Sequence, residues 1–341
     1  MTVTMKDIAR KSGVSTSAVS LVLSGRSDGR VSVSTAERIR AIADDYGYSP
    51  NPLAQSLRTK RTHTIGLLSN QVVTLPFPSE LLAGAQKAAF DSNYLMLFID
   101  TNNDKSKEKS AYNALLQRNV DALIVAVPDR RTVAIPELPA DLPVVLLNSE
   151  PSDENKDIDS IVPDDEGGAF NATNLLISKG HKRIAYCSVD GYVATNLRMK
   201  GYLNALKRSG ITFNPDLVVK APSVQTATAI DVAIRLLSQP NRPSAVCCFC
   251  DQIGMAFYEA AGFLGFRIPD DLSIVGFDNQ RFVAEALSPG LTTIELPLKK
   301  MGEWATRRVI EKLESRDDGQ VSHINMKCPL IERESIAARK S

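Results

Sequence analysis

From residue 64 onward the chain alternates short apolar runs with amphipathic stretches, and this alternation restricts the possible folds more than any other feature. Apolar runs at 65–68, 95–99, 122–127 and 144–147 are interleaved with helix-patterned segments at 79–92 and 105–118. Runs this short and this continuously apolar suit strands buried on both faces, and strands separated by helices pair in parallel. A second series follows, with runs at 183–187, 217–219, 245–249 and 273–277 and helical segments at 167–179, 197–209, 226–238 and 251–264. Two series predict two sheets, hence two lobes with a cleft, and open parallel sheets bind ligands beyond the carboxyl ends of their strands. The length of 341 residues agrees, because one hydrophobic core rarely serves so long a chain.

The N-terminal stretch carries a different pattern. Thr4 with Asp7 three positions on forms a capping signal, and Met5, Ile8 and Ala9 share one face. Gly13 supplies the permissive backbone of a tight turn, and Ser15 can cap a second helix over 16–23 whose Val19, Val22 and Leu23 face inward. Thr16, Ser17, Ser20 and Leu21 are left outside near the start of that helix, where a recognition helix presents side chains to base edges and phosphates. Ser34-Thr35-Ala36-Glu37 reads as a capping box for a third helix, with Ile39, Ile42, Ala43 and Tyr46 on one stripe and Gly47 as its stop. A small helical bundle that never meets nucleic acid has the same patterning, but charge separates the two. Through Arg61, ten basic residues stand against five acidic ones, a net of +5, so the remainder sums to −4 within a whole-chain charge of +1. Cations concentrated on the small helical unit point to a polyanionic partner.

Between these regions Asn51 is a good N-cap, Pro52 fits the first helical position, and Leu53 and Leu57 fall one turn apart. So short a helix folds conditionally, since isolated helices below about 12 residues are marginal in water. Paired with its copy on the minor groove, it would wedge Leu57 between base steps and place Arg58 on phosphate; the alternative is a capped tether between two domains.

Thr4-Met5-Lys6-Asp7-Ile8-Ala9, Gly13-Val14-Ser15, Val19-Ser20-Leu21-Val22-Leu23, and Tyr48-Ser49-Pro50-Asn51 with Ala54-Gln55-Ser56-Leu57-Arg58 together resemble the headpiece and hinge of the lac repressor and galactose repressor family of bacterial transcriptional regulators. The resemblance continues through Gly180-His181-Lys182-Arg183-Ile184-Ala185, the stretch 267–278, Leu291-Thr292-Thr293-Ile294 and Ile331-Glu332-Arg333-Glu334-Ser335, and so spans essentially the whole chain. It implies an α/β protein with a three-helix helix-turn-helix headpiece at 1–50, a hinge helix and linker at 51–63, and a periplasmic-binding-protein-like core at 64–341. Within that core the expected N-lobe is 64–163 with 294–323, the C-lobe is 164–293 with 324–341, and the chain crosses near Pro163, Thr293 and His323.

Residue by residue, the resemblance implies operator contacts from Thr4, Met5, Thr16, Ser17, Ser20, Leu21, Arg26, Arg30, Tyr48, Asn51, Ala54, Leu57 and Arg58. It implies effector contacts from Arg198, whose planar fork suits hydroxyls or carboxylates, and from Asp278 at a strand end. Phe77 matches an aromatic set against the ligand, with loop packing as the equal alternative, and Asn148 matches a polar contact or else a turn cap. Cys250 stands where many relatives carry Asn, and Pro222 where several carry a stacking aromatic. Leu21 replaces a frequently polar reading residue, so contact with a thymine methyl is expected there, and Ser27-Asp28-Gly29-Arg30 lengthens the loop before the third helix. The expected protein is a cytoplasmic homodimeric repressor on a pseudo-palindromic operator, without a cofactor, controlled by a small molecule in the cleft, by default a sugar. A purine-type corepressor or a solute-binding protein is the alternative.

Cys247 and Cys250 have a C-x-x-C spacing, yet positions three apart on a strand face opposite ways, which opposes a shared metal or redox pair. Five cysteines without framework spacing suggest reduced thiols. Neither a signal-peptide pattern nor an 18-residue apolar stretch is present, and no nucleotide-binding, nucleophile-elbow or zinc-protease motif occurs, so an enzyme, an exported protein and a membrane protein are all disfavoured.

Overall fold

A computed structural model describes residues 3–25, 27–48, 56, 61–73, 77–316 and 319–339. The chain divides into two compact units, Met1–His63 and Thr64–Ser341.

The first unit is built from α1 (Met5–Ser12), α2 (Thr16–Leu23) and α3 (Val33–Asp45). Thr4 and Asp7 make the reciprocal capping box, with Thr4 N donating to Asp7 Oδ2 at 3.0 Å and Asp7 N to Thr4 Oγ1 at 3.4 Å. Gly13 closes α1 in the left-handed region at φ +68°, and Ser15 Oγ accepts from Ala18 N at 3.2 Å to open α2. The third helix starts earlier than its sequence signal. Ser32, with extended backbone, caps α3 by accepting from Thr35 N, whereas Ser34 already lies inside the helix and cannot serve. Ile8, Val19 and Ile39, each wholly buried, meet at the centre of this mini-core.

The second unit holds two sheets, each six-stranded among the described residues. Its elements are β1 (Thr64–Ser69), α4 (Ser79–Asp91), β2 (Leu95–Asp100), α5 (Lys105–Gln117), β3 (Ala122–Val133), β4 (Val144–Pro151), β5 (Asp159–Pro163), α6 (Asp165–Ser178), β6 (Ile184–Val189), α7 (Val193–Arg208), β7 (Val218–Ala221), α8 (Thr226–Leu237), β8 (Ala245–Cys248), α9 (Asp251–Leu264), β9 (Ser273–Asp278), α10 (Arg281–Ala284), β10 (Thr292–Glu295), α11 (Leu298–Leu313), β11 (His323–Met326) and β12 (Leu330–Ile331). The N-lobe sheet has order β11-β5-β4-β3-β1-β2 and is parallel throughout; the C-lobe sheet has order β12-β10-β9-β8-β6-β7, with only the β10–β12 pair antiparallel. Both faces of each sheet are covered. On β1, Ile65 and Leu67 enter one cluster and Leu68 the opposite one, which explains the uninterrupted apolar runs in the sequence.

The chain passes between lobes after β5, after β10 and after β11. The first crossing follows Pro163, while the second and third fall after Glu295 and Met326, later than Thr293 and His323. The reason is pairing: β10 continues its ladder against β9 to Glu295, and His323 to Met326 form the outer N-lobe strand against β5. Close helix contacts brace each lobe. A Cβ at Gly302 of α11 would sit 2.0 Å from Leu81 O of α4, and one at Gly201 of α7 would sit 2.2 Å from Glu166 O of α6. Asp159, fully buried at the start of β5, is held by Arg308 at 3.1 Å, Lys312 at 2.6 Å and the Ser322 amide at 2.6 Å, tying α11 and the returning strand to the sheet.

Candidate DNA-reading surface and effector cleft

In the headpiece, Thr16 and Ser17 are exposed on the first turn of α2, and Ser20 and Leu21 are half-buried one turn on. Arg30 is exposed in the loop before α3, and Thr4 is exposed at the start of α1. Met5 and Tyr48 are half-buried against the mini-core, and burial raises the Tyr48 hydroxyl above its ordinary pKa. Packing therefore claims part of both side chains. Arg26, Asn51, Ala54, Leu57 and Arg58 lie outside the described residues.

The core contains a cleft of about 320 Å³ at the carboxyl ends of both sheets, where open parallel sheets bind ligands. All five expected effector residues, Phe77, Asn148, Arg198, Cys250 and Asp278, line it. Arg198, on α7 and 5% exposed, is its centre. Arg198 Nε donates to Asp165 Oδ1 at 2.9 Å, and Nη1 donates to Phe249 O and, at 3.3 Å, to Asp278 Oδ1. The guanidinium lies 3.6 Å from the Phe277 ring centroid and 4.7 Å from that of Phe249. Burial opposes its charge, but Asp165 and Asp278 more than offset that, so the group stays cationic. These bonds engage Nε and Nη1 and leave Nη2 for an occupant of the cleft.

Asp278 ends β9 at φ +102°, followed by Asn279 at φ +58°, a kink that turns the carboxylate toward Arg198. Gln280 Nε2 donates to Asp278 Oδ2 at 3.0 Å. Burial pushes the Asp278 carboxyl up to about 6, with Arg198 holding it from rising further. Asn148, at φ +61°, spends its amide on the carbonyls of Val127 and Pro128, both at 3.0 Å, so the capping role is the one its donors fill. Cys250 is buried at the N-cap of α9, and its Sγ approaches Val224 O at 3.9 Å.

Other lining residues had no separate sequence signal. Asp165 opens α6 just past the first crossing; Tyr192 and Phe249 follow β6 and β8. Arg130 reaches the cleft because β3 breaks register with β4 between Ala126 and Arg131 and so presents 128–130 inward. Cys247 packs on one face of the C-lobe sheet and Cys250 on the other; all five cysteines are free and buried, and burial pushes Cys187 and Cys247 up to about 12. Such thiols are poor nucleophiles.

Residues 4–51 match the family of bacterial regulatory proteins, lacI family, and residues 173–336 match a periplasmic binding protein-like domain. The ribose operon repressor of Haemophilus influenzae is 33% identical over 339 residues, covering 99% of this chain and 99% of its own. The chain belongs to the lacI family. The HTH-type transcriptional repressor PurR of Vibrio atlanticus is 31% identical to this lacI-family chain and covers 98% of both. A crystal structure of the lac repressor dimer bound to operator and an anti-inducer shares its fold with a TM-score of 0.77 at 23% identity, covering 99% of this chain and 100% of that one. As a lacI-family member the protein is a DNA-binding, ligand-responsive transcriptional regulator and not an enzyme.

Proposed function

We propose that this regulator acts as a homodimeric repressor on a pseudo-palindromic operator in the cytoplasm, with an uncharged sugar in the cleft setting whether its paired hinge segments dock. The observation that carries the sugar reading is the cleft around Arg198. Aromatic faces from Phe77, Tyr192 and Phe249 stand beside the Arg198–Asp278 pair, the combination that takes the apolar face of a sugar ring and its hydroxyls together. The family likeness to a ribose operon repressor favours the same class, while the PurR likeness keeps a purine as the second reading. In DNA binding, Thr16, Ser17, Ser20 and Leu21 on α2 meet base edges, Thr4, Arg26 and Arg30 meet phosphates, and the 51–58 segment enters the minor groove.

Homodimerisation is supported by the outer strand β2 of the N-lobe. Leu95 at its start is 68% exposed and Phe90 just before it 81%, apolar surface of the kind a partner subunit covers. The test is a thermal-shift screen of sugars, nucleobases and nucleosides on the full chain, paired with operator binding. A ligand selective for the native state raises its melting temperature. Arg198→Ala is expected to abolish the shift and the operator response while leaving operator binding intact; a variant that still responds normally removes Arg198 from the effector site.

A further inference from the structure

We propose that Asp165 and Arg130 form a second reading pair in the cleft, taking a hydroxyl of an uncharged polyol: Asp165 Oδ2 accepts its proton and Arg130 Nε donates to its oxygen. This rests on the cleft being the effector site. Asp165 is 1% exposed, and its Oδ2 is buried without a hydrogen-bond partner; Arg130 Nε is in the same condition. Each of the other side-chain nitrogens and oxygens of the two residues already has a hydrogen-bond partner. Asp165 Oδ1 accepts from Arg198, Arg130 Nη1 donates to Pro163 O at 3.0 Å, and Arg130 Nη2 pairs with Glu150 at 2.6 Å. These bonds fix the directions of both groups, so they do not relax toward each other: Nη1 stops 3.6 Å from Oδ2, beyond hydrogen-bond length.

A buried charged group with an idle valence is costly, and a ligand that fills it gains correspondingly. The two valences are of opposite kind, one acceptor and one donor, on side chains that approach to 3.6 Å at Nη1 and Oδ2. A hydroxyl is the smallest group that answers both, and neighbouring hydroxyls on one ring answer them together. A phosphate or carboxylate brings acceptors alone and would face Oδ2 as an anion. The cleft wall sharpens this exclusion, because Asp129, Asp165 and Asp278 outnumber Arg130 and Arg198. The pair therefore selects the free sugar against its phosphate ester. It also spans the lobes, since Arg130 belongs to β3 and Asp165 to α6, so the same hydroxyl reports closure.

The experiment is calorimetric titration of the full chain with a panel of aldopentoses, aldohexoses and cellobiose, their deoxy analogues, D-ribose 5-phosphate and adenine. One uncharged sugar is expected to bind, to lose at least tenfold in affinity when one hydroxyl is replaced by hydrogen, and to lose a similar factor in Arg130→Gln. For the deoxy sugar, Arg130→Gln is expected to change affinity less than twofold, because the contact is already gone. The deoxy series on the unaltered protein keeps the test valid if the variant fails to fold. Sugar binding that needs Arg198 but is indifferent to Arg130 and to every deoxy position overturns the pair while leaving the effector site in place. Preference for D-ribose 5-phosphate or adenine, or binding by none of the uncharged sugars, also overturns it.

Discussion

If Asp278 contacts the effector as proposed, it couples binding to acidity. Its carboxyl is pushed up to about 6 by burial, above the usual carboxylate value, so the native state holds this proton more tightly than the unfolded chain. Native stability from this group accordingly declines as pH rises from about 4 through 6, since the unfolded carboxyl ionises first. Effector affinity is expected to run the other way, because a hydroxyl donates best to the ionised carboxylate. Between pH 5 and pH 7 the effector's dissociation constant is expected to fall several-fold in the wild-type protein and to stay flat in Asp278→Asn, as titration at each pH would show. A flat wild-type profile would remove Asp278 from direct contact. At this scale the sequence was informative where a residue follows a strand that is itself legible: Asp278 after 273–277 and Asn148 after 144–147. Arg130 was not, since the apolar run stops at Val127 and only the register break carries the next residues into the cleft.

Among the core elements that the alternating runs did not mark, β5 and α11 escaped for a shared reason. β5 opens with Asp159 and ends in Pro163, and α11 carries Arg308 on its inner side, so each breaks the apolar pattern that marks a buried element. Their charges answer each other: buried Asp159 is made tolerable by buried Arg308 together with Lys312, a relation between positions far apart in sequence. Runs such as 65–68 and 122–127 needed no partner to be read, because apolar burial is a property of each residue alone. The α4–α11 contact offers a direct test. Gly302→Ala gains about 1 kcal/mol in helix propensity, yet its methyl would lie 2.0 Å from the Leu81 carbonyl oxygen, and forcing the helices apart outweighs that gain. A net loss of about 2 kcal/mol is expected in urea denaturation. A stabilised variant would show that the two helices can separate freely.

At the scale of the whole molecule, the expected working unit is a pair of chains. If β2 and the end of α4 meet a second copy, Leu95→Glu places a carboxylate in that contact and leaves the fold of each subunit untouched, since Leu95 is already 68% exposed. Sedimentation is expected to shift from dimer to monomer, with specific operator affinity falling at least tenfold and random-DNA binding much less, because only a dimer reads two half-sites. Retention of the dimer would move the interface elsewhere. Leu57→Ala tests the hinge in the same assay, with loss of specific but not random binding expected.

The three crossings also set an order of events during synthesis. The outer N-lobe strand at His323–Met326 pairs with Asp159–Pro163, more than 160 residues earlier, with Ser160 Oγ and His323 Nδ1 2.9 Å apart. The N-lobe sheet thus stays unfinished until residue 326 has left the ribosome, whereas the headpiece is complete after its first few dozen residues and closes through local contacts alone. Each newly made copy therefore carries a folded DNA-binding unit while the two-lobed core that holds the cleft is still being assembled.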